Sequence, residues 1–250
     1  YTDKKAYDLL IQSESGFLSV TGTPDEQVKA GISIADIAAG MYAYSSILGA
    51  LIERQRSGRG CRLEIAMIDA MAEWMSFPMY YAYQDQAPPP RSGASHATIY
   101  PYGPFRTGDG RTVMLGLQNE REWKIFCDQV LLRPEVATDA RFDSNARRVA
   151  SRDELRALIE SCFAGLDAPA LIARLDTAGI ANASVNTMAD LWEHPQLKAR
   201  QRWTTIDSPA GALPALQPPG MGPQRPARMG PVPALGEHSE HILAELGLGG

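Results

Sequence analysis

The sequence predicts an α/β fold in which a strand, a helix, a second strand and a second helix follow one another. Three observations support this: an apolar run that ends at Asp36, a helical pattern from there to Gly58, and an alternating segment at 62–66 that precedes a long apolar segment. Such alternation is typical of parallel sheets, because parallel neighbours are joined by a helical crossover. The first part of the chain is therefore predicted to be an α/β layer.

The helix after Asp36 is predicted from apolar residues that recur every three or four positions. These residues are Ile37, Met41, Tyr44, Leu48, Leu51 and Ile52. Gly58 and Gly60 end the pattern, and arginines precede them at the helix end where positive charge is favourable. Residues 62–66 alternate like a strand, and 68–83 is predicted to continue as a mostly buried helix.

A proline-rich linker and a change of pattern mark a second domain. The linker is QDQAPPPRSG (84–93), in which three consecutive prolines enforce an extended spacer. Beyond it, two strand-like runs flank Asp109-Gly110, a strong hairpin signal. Helices are predicted at about 120–132, 151–164 and 169–178, and Ser151 with Glu154 fits a capping box. These elements predict a smaller α+β unit.

The last part of the chain is predicted to be a tail. From Ser208 to Gly236 it is rich in Pro, Gly and Ala, which predicts an extended segment without regular structure. A short amphipathic helix is predicted at 237–247. The predicted organisation is thus an α/β domain over 1–88, an α+β domain over 89–200, and a tail over 201–250 that returns to the first domain.

Composition excludes several classes of function. A net charge of −5 with scattered basic residues gives no indication of nucleic-acid binding, and no run approaches the roughly 18 to 20 apolar residues of a membrane span. The cysteines are odd in number and far apart, as in reduced cytosolic proteins, so we expect a cytoplasmic location without a disulfide framework or metal site. Phosphate-binding loops, the dinucleotide fingerprint and the Gly-x-Ser-x-Gly motif do not occur in the sequence.

Asp36 is the single charged residue of GISIADIAAG (31–40), and an ionised carboxylate in apolar surroundings needs partners. Two interpretations fit the junction between an extended run and a helix. Asp36 caps the helix by accepting its free N–H groups, or it is a nucleophile whose charge the same helix end stabilises. Spacing alone favours the cap, although one residue can do both.

Residues 4–60, from KKAYDLL to RSGRG, resemble the central stretch of the family III CoA-transferases, which include formyl-CoA and carnitine CoA-transferases. The resemblance continues through TDARFDSNARRVASRDEL (138–155), HPQLKAR (194–200) and LGEHSEHILAELG (235–247). It implies a Rossmann-like large CoA-binding domain with a smaller α+β domain, in an interlocked homodimer. It also implies that roughly the first third of the family's chain is absent before Tyr1.

The resemblance implies a catalytic role for Asp36, which matches the family's nucleophile. A carboxylate that attacks an acyl-CoA thioester gives an anhydride and then an enzyme thioester, from which an acceptor acid takes CoA. Lys5 and Tyr7 match positions that contact CoA. His96, in GASHATIYPYG (93–103), and Asn119 and Glu120, in LQNEREW (117–123), match regions near the substrate. On sequence alone Glu120 is equally a first-turn helix carboxylate.

The predicted function is therefore CoA transfer between small carboxylic acids, with a CoA thioester as substrate and no permanently bound cofactor or metal. The resemblance is greatest to the subgroup that handles C4–C5 dicarboxylyl-CoAs such as mesaconyl-CoA. One alternative is an α-methylacyl-CoA racemase, which needs two acid/base groups on opposite faces of a carbon. In the racemases that resemble this chain, a histidine supplies one of these groups. Tyr7 stands at the matching position here, and its phenol is a poor base. A further alternative is a non-catalytic remnant.

Overall fold

The computed structural model describes residues 1–222 and 224–248, and its contacts divide the chain into two units, Tyr1–Val185 and Asn186–Gly250. The first unit begins with a helical region. Its helices are α1 (Asp8–Glu14), α2 (Phe17–Val20), α3 (Ile34–Ser57), α4 (Met67–Trp74) and α5 (Ser76–Tyr81). A 3-10 turn at Tyr83–Asp85 ends this region. The buried residues that hold these helices together are Ile11, Ala35, Ala38, Ala70 and Met71.

Helix α3 confirms the helix predicted after the apolar run. It ends where the sequence predicts, because Gly58 adopts a left-handed backbone with φ of 68° and donates its N–H to the carbonyl of Arg54. By length and composition alone, α3 passes the test for a membrane-spanning helix, which the core helix of a soluble protein also passes.

The two strands predicted on either side of α3 are not formed in the part of the chain that the structure describes. Residues 31–33 precede the helix as a bend, and residues 62–66 have no regular structure. A strand exists through hydrogen bonds to a neighbouring strand, and no described segment offers these residues such a partner. The prediction of strands at these two positions was therefore wrong for this chain.

The apolar face of α3 is open, although the periodicity predicted a core face. At the six apolar positions that predicted this face, from Ile37 to Ile52, the exposed fraction runs from 37% for Leu51 to 62% for Tyr44. The single buried helix predicted over 68–83 is also wrong, because it breaks at Met75 into α4 and α5, and Phe77 and Tyr80 are exposed. Only one side of these helices meets the small buried cluster, so the opposite side has no covering layer among the described residues.

The rest of the first unit is an α+β structure around one core. Strands β1 (Tyr102–Arg106), β2 (Thr112–Gly116) and β3 (Ala181–Ser184) form an antiparallel sheet in that order. Arg106 pairs with Thr112, so the predicted Asp109-Gly110 hairpin is confirmed. Helices α6 (Glu120–Ile125), α7 (Asn145–Ala150), α8 (Arg152–Phe163) and α9 (Ala168–Thr177) accompany the sheet. The core includes Tyr100, Phe105, Trp123, Phe126, Phe142 and Phe163.

The helices predicted in this region are present, with two differences. The helix predicted over about 120–132 consists of α6 and a π-helical turn at Phe126–Val130, and a 3-10 turn follows at Pro134–Thr138. The capping box predicted at Ser151 is not formed, since the Ser151 side chain makes no capping hydrogen bond. Ser151 is both the C-cap residue of α7 and the N-cap residue of α8. Glu154 forms an ion pair with Arg141 instead.

The second unit contains α10 (Met188–Trp192), α11 (Pro195–Ala199), strands β4 (Trp203–Ile206) and β5 (Leu213–Leu216), and α12 (Ser239–Glu245). Helix α12 confirms the predicted terminal helix. Strand β5 falls within the stretch predicted to lack regular structure, so that prediction was wrong at 213–216. The pairing depends on β4, and the buried Arg202 guanidinium donates to the carbonyls of Gln217, Pro218 and Met221 beyond β5.

Candidate active site

Asp36 is the third residue of α3, and its side chain is exposed. Within residues 1–222 and 224–248, no hydrogen bond or ion pair engages its carboxylate. The N-cap position belongs to Ser33, whose side chain makes no capping bond. Asp36 therefore does not act as the cap that its spacing suggests, and its carboxylate is left free in the first turn, where the helix dipole favours negative charge.

The cap of α3 comes from another helix. Asp8, the first residue of α1, accepts the N–H of Ala35 through its Oδ1 at 2.9 Å. Its Oδ2 accepts a hydrogen bond from Gln12 Nε2 at 2.7 Å, and Gln12 Oε1 accepts the N–H of Ala30 at 2.9 Å. Two side chains one turn apart on α1 thus hold both ends of the segment 30–35 that leads to Asp36.

Lys5 and Tyr7 lie in the segment immediately before α1. Tyr7 is the residue before α1, and 63% of its surface is exposed. Lys5 contributes to a mainly apolar cavity of about 330 Å³, together with Tyr1, Leu10, Ile11, Met67 and Ile68. The Asp8–Ala35 hydrogen bond joins the residue after Tyr7 to the residue before Asp36.

His96 lies in the segment between the proline-rich linker and β1. Its Nδ1 accepts the N–H groups of Thr98 at 3.2 Å and Ile99 at 3.1 Å, and its ring stacks on Tyr102 with centroids 5.3 Å apart. Since Nδ1 is an acceptor, Nε2 carries the proton of the neutral ring. His96 also lines a cavity of about 320 Å³ with Thr21, Phe77 and Ser92.

Asn119 and Glu120 are held at the start of α6. Asn119 caps this helix by accepting the Glu122 N–H at 2.9 Å. Glu120 receives both Nη atoms of Arg148 at 2.8 Å, and it also accepts the N–H of Asn145. The bidentate hydrogen bonds from Arg148 lower the pKa of the Glu120 carboxyl.

The predicted site residues therefore fall into two groups along the chain. Lys5 and Tyr7 precede Asp8, which is bonded to the Ala35 N–H next to Asp36. In the other group, Asn145 donates its backbone N–H to Glu120, the residue after Asn119, and its side-chain amide to the Thr98 carbonyl, two residues from His96, at 2.9 Å. No hydrogen bond between the two groups occurs among the residues that the structure describes. The described residues also contain no cluster of three or more metal-ligating side chains, and His241 pairs with Glu245.

Sequence reasoning missed Asp8, Gln12 and Arg148. The spacing of Asp8 and Gln12 is visible as an i, i+4 pair on a predicted helix, which is a weak signal of their interaction. Their targets, Ala30 and Ala35, are backbone amides that no sequence motif marks. Arg148 gives no local signal either, because its carboxylate partner Glu120 is 28 residues away and its other partners are backbone carbonyls.

A free carboxylate at a helix N-terminus can act as a nucleophile without a neighbouring base, because it is already ionised. The fold itself matches known proteins. The crystal structure of a CAIB/BAIF family protein from Brucella suis superposes with a TM-score of 0.82 at 34% identity, over 98% of this chain and 64% of that one. The sequence model of CoA-transferase family III matches residues 1–239. The chain belongs to CoA-transferase family III.

Two curated relatives extend the comparison. This family III chain is 32% identical to the succinate–glutarate CoA-transferase of Agrobacterium fabrum, over 98% of the chain and 62% of the relative. It is 29% identical to the succinyl-CoA:mesaconate CoA-transferase of Haloarcula hispanica, over 98% of the chain and 61% of the relative. The chain thus spans less than two thirds of the length of these relatives. The predicted α/β class is confirmed by the shared fold.

Proposed function

We propose that this family III protein transfers CoA between small carboxylic acids, with Asp36 as the nucleophile. The observation that carries the proposal is the exposed Asp36 carboxylate in the first turn of α3, which no described residue engages. A side chain held in a structural hydrogen bond would have to break it before attacking a substrate. Asp36 has no such bond to break, and the helix dipole favours its ionised form.

The proposed reaction passes through an anhydride and a thioester on Asp36. An oxygen of Asp36 attacks the thioester carbonyl of the donor acyl-CoA, the carbon–sulfur bond breaks, and CoA leaves as a thiolate. The thiolate attacks the Asp36 carbonyl of the mixed anhydride, releases the donor acid, and leaves CoA on Asp36 as a thioester. The acceptor carboxylate then attacks this thioester, and the returning thiolate converts the new anhydride into acceptor acyl-CoA and free Asp36. CoA is a substrate here, and no permanently bound cofactor is needed.

We further propose C4–C5 dicarboxylic acids as substrates. Relatives named for succinate, glutarate and mesaconate support this proposal. Lys5 and Tyr7 are proposed to contact CoA, and His96, Asn119 and Glu120 to lie toward the acyl group. The protein is proposed to work in the cytoplasm as an interlocked homodimer, without nucleic-acid or membrane partners.

The test is to incubate the full-length protein with a panel of acyl-CoA donors and to measure the mass of the Asp36 peptide. Asp36→Ala should abolish CoA transfer and the adduct, whereas Tyr7→Phe should weaken CoA binding and leave turnover measurable. Transfer confined to monocarboxylic acids would contradict the dicarboxylate proposal. Rapid α-proton exchange on a chiral 2-methylacyl-CoA without CoA transfer would instead support the racemase.

A further inference from the structure

Helix α3 starts without a cap of its own, and the residue that replaces the cap is distant in sequence. Asp8 accepts the Ala35 N–H across 27 residues, and the Ala35 side chain is fully buried. A carboxylate that accepts an N–H of the first helical turn fixes where the helix begins. Asp36 is the next residue, so its backbone is fixed by this bond.

Asp8 is itself held by a buried amide. Gln12 has 0% of its surface exposed, and it donates to Asp8 through Nε2 while its Oε1 accepts the Ala30 N–H. Both ends of the Gln12 amide are satisfied in one orientation only, because the carboxylate can only accept and the backbone N–H can only donate. The pair therefore clamps the segment 30–35 against α1 at its first and last residues.

We propose that Asp8 and Gln12 are positioning residues for the Asp36 nucleophile. Because the Asp36 carboxylate has no partner of its own among the described residues, its location depends on the backbone that these two side chains hold. A displacement of the nucleophile by about 1 Å costs on the order of a hundredfold in rate. This proposal rests on the proposed function of Asp36.

The hydrogen-bond pattern provides a sharp test in the full-length protein. Asp8→Asn retains the shape and an acceptor for Ala35, but its amide donors then face the donors of Gln12. Rotation of the Gln12 amide only moves the mismatch to the Ala30 N–H. In the double variant Asp8→Asn, Gln12→Glu, the Asn amide donates to the Glu carboxylate, whose other oxygen accepts the Ala30 N–H. All three hydrogen bonds are then possible again.

The measurements are the single-turnover rate of adduct formation on the Asp36 peptide, the KM for the acyl-CoA donor, and amide hydrogen exchange over residues 30–36. Asp8→Asn should lower the adduct rate about a hundredfold at nearly constant KM and should speed exchange in this segment. The double variant should recover about tenfold of the rate and most of the protection. The control Asp25→Asn, at an exposed carboxylate without a hydrogen bond among the described residues, should change neither.

A folded Asp8→Asn protein with the wild-type adduct rate would overturn the positioning role, as would a folded double variant as slow as the single one. If Asp8→Asn does not fold, Gln12→Met keeps the side-chain volume and removes the link to Ala30. It should also slow the adduct, and a wild-type rate would overturn the proposal. Absence of any adduct on wild-type Asp36 would instead reject the proposed function, and the positioning role with it.

Discussion

At the scale of single residues, Arg148 is a buried cation with a complete set of acceptors. Its side chain is 3% exposed, and it donates to the carbonyls of Tyr100 and Phe142 as well as to Glu120. The guanidinium also lies 4.8 Å from the centre of the Trp123 ring. A buried charge is tolerated only when it is paired and hydrogen-bonded. Two carbonyls, a carboxylate and an aromatic face together stabilise the Arg148 guanidinium.

Glu120 should make the stability of this region depend on pH. Its pKa is lowered in the folded state by Arg148, so the ion pair stabilises the fold above the ordinary pKa of 4.5 and this stabilisation is lost as pH falls through the lowered folded value. Glu120→Gln should therefore lose less unfolding free energy than the wild type between pH 7 and pH 3. Urea titrations at several pH values measure this difference.

The control for this pH titration is Asp25→Asn. Asp25 is an exposed carboxylate outside the helices, and no described residue forms a hydrogen bond or ion pair with it. The control should retain the wild-type slope of stability against pH. Equal slopes for the wild type and Glu120→Gln would contradict the prediction, because they would mean that the Arg148 pair does not couple to folding.

At the scale of elements, strand β1 requires a glycine at its second residue, Gly103. A Cβ on Gly103 would lie 2.5 Å from Ser95 Oγ, closer than real contacts allow, and 3.0 Å from the backbone Cα of Ser95, tighter than most real contacts. Gly103→Ala should therefore destabilise the unit by about 1 to 3 kcal/mol, because the strand or the segment before it has to shift. Thermal unfolding measures the loss. Gly165→Ala, which has open space around the added methyl group, should stay near the wild-type melting temperature.

The β4–β5 hairpin depends on Arg202 rather than on a pattern of apolar residues. Arg202→Ala would leave the carbonyls of Gln217, Pro218 and Met221 without their buried donor, at a cost of about 1 to 3 kcal/mol. The Trp192–Trp203 stack, with centroids 4.5 Å apart, reports on this unit through near-ultraviolet circular dichroism. We expect this signal to be lost at lower urea in Arg202→Ala but not in Arg200→Ala, whose side chain is exposed. Unchanged midpoints would contradict the prediction.

Elements with local signals were predictable, and elements held by distant partners were not. The hairpin at Asp109-Gly110 is encoded by a turn that needs Gly110 at φ of 77°, and α3 is encoded by its periodicity and by Gly58. In contrast, β5 is stabilised by Arg202 on another segment. The residue proposed as the nucleophile was found through family resemblance. The side chains that hold its helix act on backbone amides, which carry no residue-specific signal.

At the scale of the whole molecule, the face of α3 is the main exposed apolar surface of the described residues. Large apolar side chains are exposed along α3 and continue on α5 at Phe77, Met79 and Tyr80. Their burial would contribute about 25 cal/mol for each Å² removed from water, so a covering surface is strongly favoured. The proposed interlocked homodimer would provide such a surface.

The full-length protein should accordingly be a dimer at micromolar concentration, and the face of α3 should be needed for it. Replacing Tyr44 and Leu48, which are 62% and 44% exposed here, by Asp puts two charges on this face and should abolish the dimer or the folded protein. Glu53→Lys changes the charge of the same helix at an exposed position on the side opposite Tyr44 and should leave the assembly intact. Light scattering gives the mass, and circular dichroism separates dissociation from unfolding.

A wild-type protein that scatters as a stable monomer would contradict the homodimer. A folded double variant that remains dimeric would show that the face of α3 is covered from within its own chain.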